Sequence, residues 1–288
     1  MDKSSIFLDS GAYSAHISGA VIDVYAYIDF IKEHQNELSV YANLDVINSA
    51  EDTWKNQRIM EAAGLNPLPV FHASEDIKYL HMAMEYEYFA VGGMAKTSSS
   101  ALQYQVDAIF HEVCPKSNDY FPLNKIHGFG CTKPSIIAAY PWYSVDSSSW
   151  VKLGLYGMVF IPKIFNGRLL YNKPPIMITM SNRSKSIGDS QHFSNLPKME
   201  QEVIQNYFAE KGIAVGESEI IDVESGYKLQ EYEVWANKTK TKIEFAAVPG
   251  LVNSHVIRDH ANLLYFLDLE KNQPTWPWAW KKKGGRLF

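Results

Sequence analysis

The sequence predicts an α/β fold built from βα units around a parallel sheet, and two observations carry that reading. From residue 1 to about residue 150, short β-branched or aromatic runs alternate with helix-length segments of mixed polarity. Six of the short runs also end on a chemically useful residue: SSIFLDSGAYS, YANLDVI, PLPVFHAS, YFAVGGM, KIHGFGCT and WYSVDSSSW. In α/β barrels the ligand site collects at the C-terminal ends of successive parallel strands. Asp9, Asp45, His72, Gly92, Gly93 and Asp146 are therefore candidates for one pocket, and Asp9 and Asp146 would supply the paired carboxylates that acid–base and nucleophilic chemistry needs.

Each element has its own signal. Strand-like SIFLD is followed by VIDVYAYIDFIKEHQNE, whose Val24, Tyr27, Ile28 and Ile31 recur at helical spacing. SVYANLDVI returns as a strand. SAEDTWKNQRIMEAAG then carries helix start and stop signals, Ser49 three residues before Asp52 and Gly64 at the end. PLPVFHA reads as strand, EDIKYLHMAMEY as helix, YFAVGG as strand, and SSSALQYQVDAIFHEVCP as a helix ended by Pro115. KIHGFG, the helix KPSIIAAYP and YSVDSSSW complete the series.

After about residue 150 the rhythm changes. GMVFIP, GRLLYN and PPIMITM read as short β pieces between Asn-Gly and Pro-Pro turns, and KMEQEVIQNYFAEKG and VNSHVIRDHANLLYFLDLEK as helices. The division expected is 1–150 for the βα units that carry the active site. Residues 151–288 are expected to complete the barrel and add nucleic-acid-binding C-terminal elements.

Composition narrows the class. With 46% hydrophobic residues in 288, the chain has material for a large core. Its apolar runs are too short for a membrane span and MDKSSIFLDS lacks a signal-peptide core, so a soluble, cytoplasmic protein with no membrane partner is expected. Two cysteines, Cys114 and Cys131, give neither a disulfide framework nor a four-cysteine zinc module. His127 and Cys131 lie four residues apart but want a third ligand, so no metal and no cofactor is expected. A net charge of −5 leaves any polyanion to be met locally. Arg183 and Lys185 in SNRSKS, and Trp278, Trp280, Lys281, Lys282 and Lys283 in WPWAWKKKGGR, combine base-stacking rings with phosphate-binding cations. The tryptophans also read as packing on the barrel.

The order of these motifs resembles the tRNA-guanine transglycosylase family, whose members exchange guanine in nucleic acid for a 7-deazaguanine. There a strand ends in Asp-Ser-Gly-Gly-aromatic, which DSGAY matches with Asp9 and Tyr13. A second strand-end Asp is matched by Asp45 in NLDVI. A Gln followed by a Gly-Gly turn is matched by His72 and then Gly92-Gly93, and a Gly-rich segment before the strand of the nucleophilic Asp is matched by HGFGCTKPS before YSVDSSSW. The resemblance covers roughly residues 6–150. The family's CxCxxC…H zinc site has no counterpart, its recognition Gln is His72, and its upstream strands would have to come from residues 151–288.

The resemblance implies a TIM (β/α)8-like barrel, divergent or partly rebuilt, with a β-rich C-terminal part. It is similar to the phage and bacterial branch that places 7-deazaguanines in DNA. On that likeness Asp146 is the nucleophile that attacks C1′, Asp9 the general base, and Asp45 the reader of the N1–H and 2-amino edge of guanine. Tyr13 stacks on the base, and His72, Gly92 and Gly93 line it. The implied partners are a DNA (or tRNA) polymer and a preQ0-like 7-deazaguanine base, with a homodimer left open. Three alternatives stand beside this: a tRNA-acting transglycosylase, a glycosidase or nucleosidase, and a non-catalytic nucleic-acid-binding subunit. Asp9 also reads as a turn cap before Gly11, and Asp146 as a helix N-cap.

Overall fold

The computed structural model describes residues 6–94, 98–131, 133–166, 168–184, 188 and 191–280. The chain divides into two compact units, 1–147 with 274–288, and 148–273. The C-terminal stretch from Pro274, expected to belong with the second part, is thus grouped with the βα units.

The first unit runs strand β1 (Ile6–Leu8), helices α1 (Ala12–Ser18) and α2 (Val24–His34), β2 (Leu38–Tyr41), α3 (Ala50–Ala62), β3 (Val70–His72), α4 (Ile77–Ala83), β4 (Tyr88–Gly92), α5 (Ser99–Val113), β5 (Lys125–Gly128), α6 (Pro134–Ala139) and β6 (Ser144–Val145). Caps fix several helix starts. The Asp23 side chain accepts from the amides of Tyr25 and Ala26, Ser49 from that of Asp52, and Asp76 from that of Lys78. Tyr27, Ile28 and Ile31 turn the buried face of α2 inward, as their spacing requires. Helix α1 lies in AYSAHIS, where periodicity gives no signal; it is only seven residues long and starts from Gly11, whose φ of 73° is the left-handed conformation glycine tolerates.

The strands are parallel and neighbour one another in chain order. β1 pairs with β2, a parallel bridge joins Ala42 to Leu68 ahead of β3, and β3, β4, β5 and β6 follow in one ladder. The sheet is strongly curved. β1 and β5 are four strands apart, about 19 Å in a flat sheet, yet the rings of Phe7 on β1 and His127 on β5 stack with centroids 4.5 Å apart. Phe7 and His127 therefore share the concave face. On the other side a core of Phe71, Leu80, Phe89, Val91, Val106, Ile109, Phe110 and Ile126 packs the helices to the strands. Each such aliphatic side chain contributes roughly 1.5–3 kcal/mol when fully buried.

The second unit runs α7 (Ser149–Leu155), β7 (Met158–Ile161), β8 (Lys163–Phe165), β9 (Arg168–Leu170), β10 (Ile176–Thr179), α8 (Lys198–Ala209), β11 (Glu217–Asp222), β12 (Glu233–Trp235), β13 (Lys242–Val248) and α9 (His255–Lys271). Its strands pair with one another antiparallel: β7 with β10, β8 with β9, and β13 between β11 and β12. The unit has its own core, centred on Val159, Ile161, Phe208, Leu251 and Ala261. Among the described residues no helix is long and apolar enough to cross a membrane.

Candidate functional site

Asp9, Asp45 and Asp146 converge although they come from three separate strand ends. Asp9 follows β1, Asp146 follows β6, and Asp45 lies four residues beyond β2. Burial raises the Asp9 carboxyl above its ordinary range, and the charges of Asp45 and Asp146 raise it further against the lowering pull of the Gly11 and Ser10 amides. Asp9 is thus both the turn cap that its Asp-Ser-Gly context suggests and a member of a carboxylate cluster. Burial, and after it the charges of Asp9 and Asp45, push up the phenol of Tyr27, whose hydroxyl donates to the Ala42 carbonyl at 3.0 Å.

Asp45 is held by two neighbours. Ser10 Oγ donates to its Oδ1 at 2.9 Å, and His72 Nε2 lies 3.0 Å from its Oδ2. Ser10 is itself fixed by the Ala12 amide at 3.2 Å. His72 meets a second carboxylate: its Nδ1 is 2.9 Å from Glu75 Oε1, and its backbone N–H donates to Glu75 Oε2 at 3.0 Å. Burial pulls the imidazole pKa down, but the hydrogen bonds and charges of Asp45 and Glu75 outweigh it and lift the pKa to about 9. His72 sits between two carboxylates that favour its charged form. The structure thus gives it a first task other than lining a base, which is to hold Asp45 in place.

Gly92 and Gly93 serve the same clamp. Gly92 pairs with His72 across β3 and β4, and a Cβ there would meet His72 Cδ2 at 2.8 Å. Gly93, with φ of 73°, would place a Cβ 3.3 Å from that of His72. The missing side chains are spent on the imidazole.

On the other flank Asp146 accepts from the Gly130 amide through Oδ1 at 2.6 Å, and its side chain is 50% exposed. It is not a helix cap, since the N-cap of α7 is Ser148. His127 Nε2 lies 3.7 Å from the same Oδ1, while His127 Nδ1 is 2.7 Å from Ser144 Oγ. Tyr13 is exposed on α1.

The nucleic-acid residues separate. Trp280 is 4% exposed and packs on Tyr140, centroids 5.8 Å apart, and on Phe110, so it is a core residue and not a platform for a base. Trp278 is half-buried. Arg183 lies in the second unit, paired with the buried carboxylate of Glu244 at 2.7 Å beside Arg258, Ser181 and His255, so its charge is already met. Lys185, Lys281, Lys282 and Lys283 lie outside the described residues. Both cysteines are buried, and burial pushes their thiols up to about 12. Among the described residues no three His, Cys, Asp or Glu gather as a metal site.

Ser10, Glu75 and Ser144 are site residues that motif reading passes over, and His127 was weighed there only as a metal ligand beside Cys131. Ser10 was readable inside DSGAY, and Glu75 stands three residues after His72, on the near side of the same turn. The partnership of His127 with Asp146 has no local signal. No protein-family model, no curated protein and no solved structure matches this chain.

Proposed function

We propose that the chain is a guanine transglycosylase that exchanges guanine in DNA for a preQ0-like 7-deazaguanine through a covalent Asp146–sugar intermediate, on a divergent (β/α)8-like barrel. The observation that carries this reading is the gathering of three carboxylates in unlike surroundings beyond the ends of the parallel strands. Asp146 is exposed and open to attack C1′; Asp9 has the raised carboxyl of a group that gives and takes a proton; Asp45 is pinned by Ser10 and an imidazolium.

In the first half-reaction an Asp146 oxygen forms a bond to C1′ while the C1′–N9 bond breaks, its electron pair leaves with guanine, and Asp9 supplies the proton. In the second, N9–H of the incoming 7-deazaguanine gives its proton to Asp9, N9 bonds to C1′ and the Asp146 ester breaks. The proton count closes without any other donor. Each carboxylate oxygen of Asp45 retains an accepting lone pair beyond those used by Ser10 and His72, enough to take N1–H and the 2-amino group of guanine, an edge adenine lacks. Tyr13 stacks on the base, worth about 1–3 kcal/mol. DNA is favoured over tRNA because two cysteines cannot build the zinc site of the tRNA-acting enzymes.

The same pair, a carboxyl raised by burial and an exposed carboxylate, also suits a retaining glycosidase that passes the sugar to water. Incubation with guanine-containing DNA and, separately, tRNA, each with radiolabelled 7-deazaguanine, decides. Label in washed DNA is expected, with loss of at least about a thousandfold in Asp146→Ala. Label in tRNA alone moves the substrate, free base without label moves the reaction to hydrolysis, and the absence of both label and free base overturns the reading.

A further inference from the structure

We infer that Tyr88, Ser144 and His127 form a directed hydrogen-bond chain that keeps a proton on His127 Nε2 and aims it at Oδ1 of Asp146. His127 is thereby the positioning residue of the nucleophile, an assignment that rests on the reading of Asp146 given above.

His127 is 3% exposed, stacked on Phe7 and met by the edge of Phe129 with centroids 4.6 Å apart, so its ring has little freedom to turn. Its Nε2 is buried and has no hydrogen-bond partner among the described residues. An unpaired buried polar atom costs about 1–3 kcal/mol, and an apolar ring would fill this place without that cost. The charged atom it faces is Asp146 Oδ1 at 3.7 Å. Closing that gap to a hydrogen bond takes a shift of less than about 1 Å, and the half-exposed Asp146 side chain has room to make it. Long contacts of this kind are common in empty sites and tighten when the reaction complex forms.

The direction of the proton follows from donors and acceptors. Ser144 Oγ lies 2.7 Å from His127 Nδ1 and 2.7 Å from Tyr88 Oη, on the neighbouring strands β6, β5 and β4. A hydroxyl has one proton to give. If Ser144 donated to Tyr88, a neutral His127 would carry its proton on Nδ1 and turn a lone pair toward a carboxylate. If Tyr88 donates to Ser144 and Ser144 to Nδ1, the proton stands on Nε2 and every neighbour is complementary. Protonation of the ring leaves that Nε2–H in place.

The consequence concerns which carboxylate oxygen reacts. Gly130 N–H and His127 Nε2 both address Oδ1, so Oδ2 is the oxygen left to bond C1′. In the ester Oδ1 is the carbonyl oxygen, and the two N–H groups receive charge on it when the C1′–Oδ2 bond breaks and returns its electron pair to the carboxylate.

Two readouts test this on the full chain. Nitrogen-15 NMR of the imidazoles, without substrate, should find His127 protonated on Nε2, with Ser144→Ala and Tyr88→Phe shifting the proton toward Nδ1. A wild-type ring carrying its proton on Nδ1 alone overturns the inference. The rate of covalent adduct formation on guanine-containing DNA should fall about a hundredfold in His127→Phe with KM unchanged, and recover in part in His127→Gln, whose amide still donates. Adduct formation at the wild-type rate in both variants overturns it as well. If wild-type protein forms no adduct on DNA or tRNA, the transglycosylase reading fails, and the NMR result still decides the hydrogen-bond chain.

Discussion

His72 and His127 are both buried on the same curved sheet, on β3 and β5, and their surroundings are opposite. His72 has both ring nitrogens satisfied, by Asp45 and Glu75, and carries a charge as a result. His127 has one nitrogen satisfied by a hydroxyl and the other without a hydrogen-bond partner among the described residues, facing a half-exposed carboxylate. The difference shows that one flank of the site is scaffold, complete before any ligand arrives, and that the other retains an unmet bond. A satisfied buried network rigidifies what it holds, whereas an unsatisfied group stores the cost until a reaction uses it.

The contrast can be broken first at His72. His72→Leu leaves Asp45 and Glu75 facing a buried site without a counter-charge, and should cost about 3–5 kcal/mol in urea unfolding; a loss under 1 kcal/mol would mean the clamp does not hold the fold. The next largest effect is on pH. Because folding raises the His72 pKa from 6.5 to about 9, its contribution is fully present below pH 6.5 and is lost as the pH rises through about 9. The wild type should lose about 3 kcal/mol of stability across that window, and His72→Gln should lose the dependence. A wild-type stability that stays flat from pH 6 to 10 contradicts an imidazolium.

Gly92→Ala should be milder, about 1–3 kcal/mol, because its methyl displaces a ring and not the backbone. A crystal structure of that variant with the His72–Asp45 contact intact would remove the steric explanation. Asp9→Asn should have the smallest effect on stability and the opposite sign. Folding disfavours the Asp9 charge, a cost present at neutral pH and relieved as the pH falls, so removing the charge should raise the unfolding midpoint while base exchange drops about a hundredfold. A midpoint that falls instead would show that the Gly11 and Ser10 amides dominate.

Much of the first unit was legible because its signals are short-range. Asp23, Ser49 and Asp76 cap helices within three residues of themselves, and Tyr27, Ile28 and Ile31 repeat at the period of a helix. The antiparallel sheet of β11, β13 and β12 was not legible: Ile220, Ile221, Val234 and Phe245 leave apolar side chains exposed and break the alternation that marks a half-buried strand. For Trp280 the sequence left two readings open, a nucleic-acid contact and packing on the barrel. A tryptophan beside four basic residues has the composition of a nucleic-acid contact, and its place against Tyr140 and Phe110 depends on the stretch from Pro274 belonging with the first unit, which composition does not encode.

The sequence by itself determined the alternation of strand and helix, the helix starts, and the presence of Asp9, Asp45, His72 and Asp146 at or just beyond strand ends, since each depends on residues a few positions apart. Tertiary structure alone decided what those groups are to one another. It lifted the pKa of His72, raised that of Asp9, and set the Gly130 amide and His127 Nε2 beside one oxygen of Asp146. Those outcomes rest on desolvation and Coulomb energy, which depend on distance in space, and only the curvature of the sheet brings the ends of β1, β3, β5 and β6 within that range.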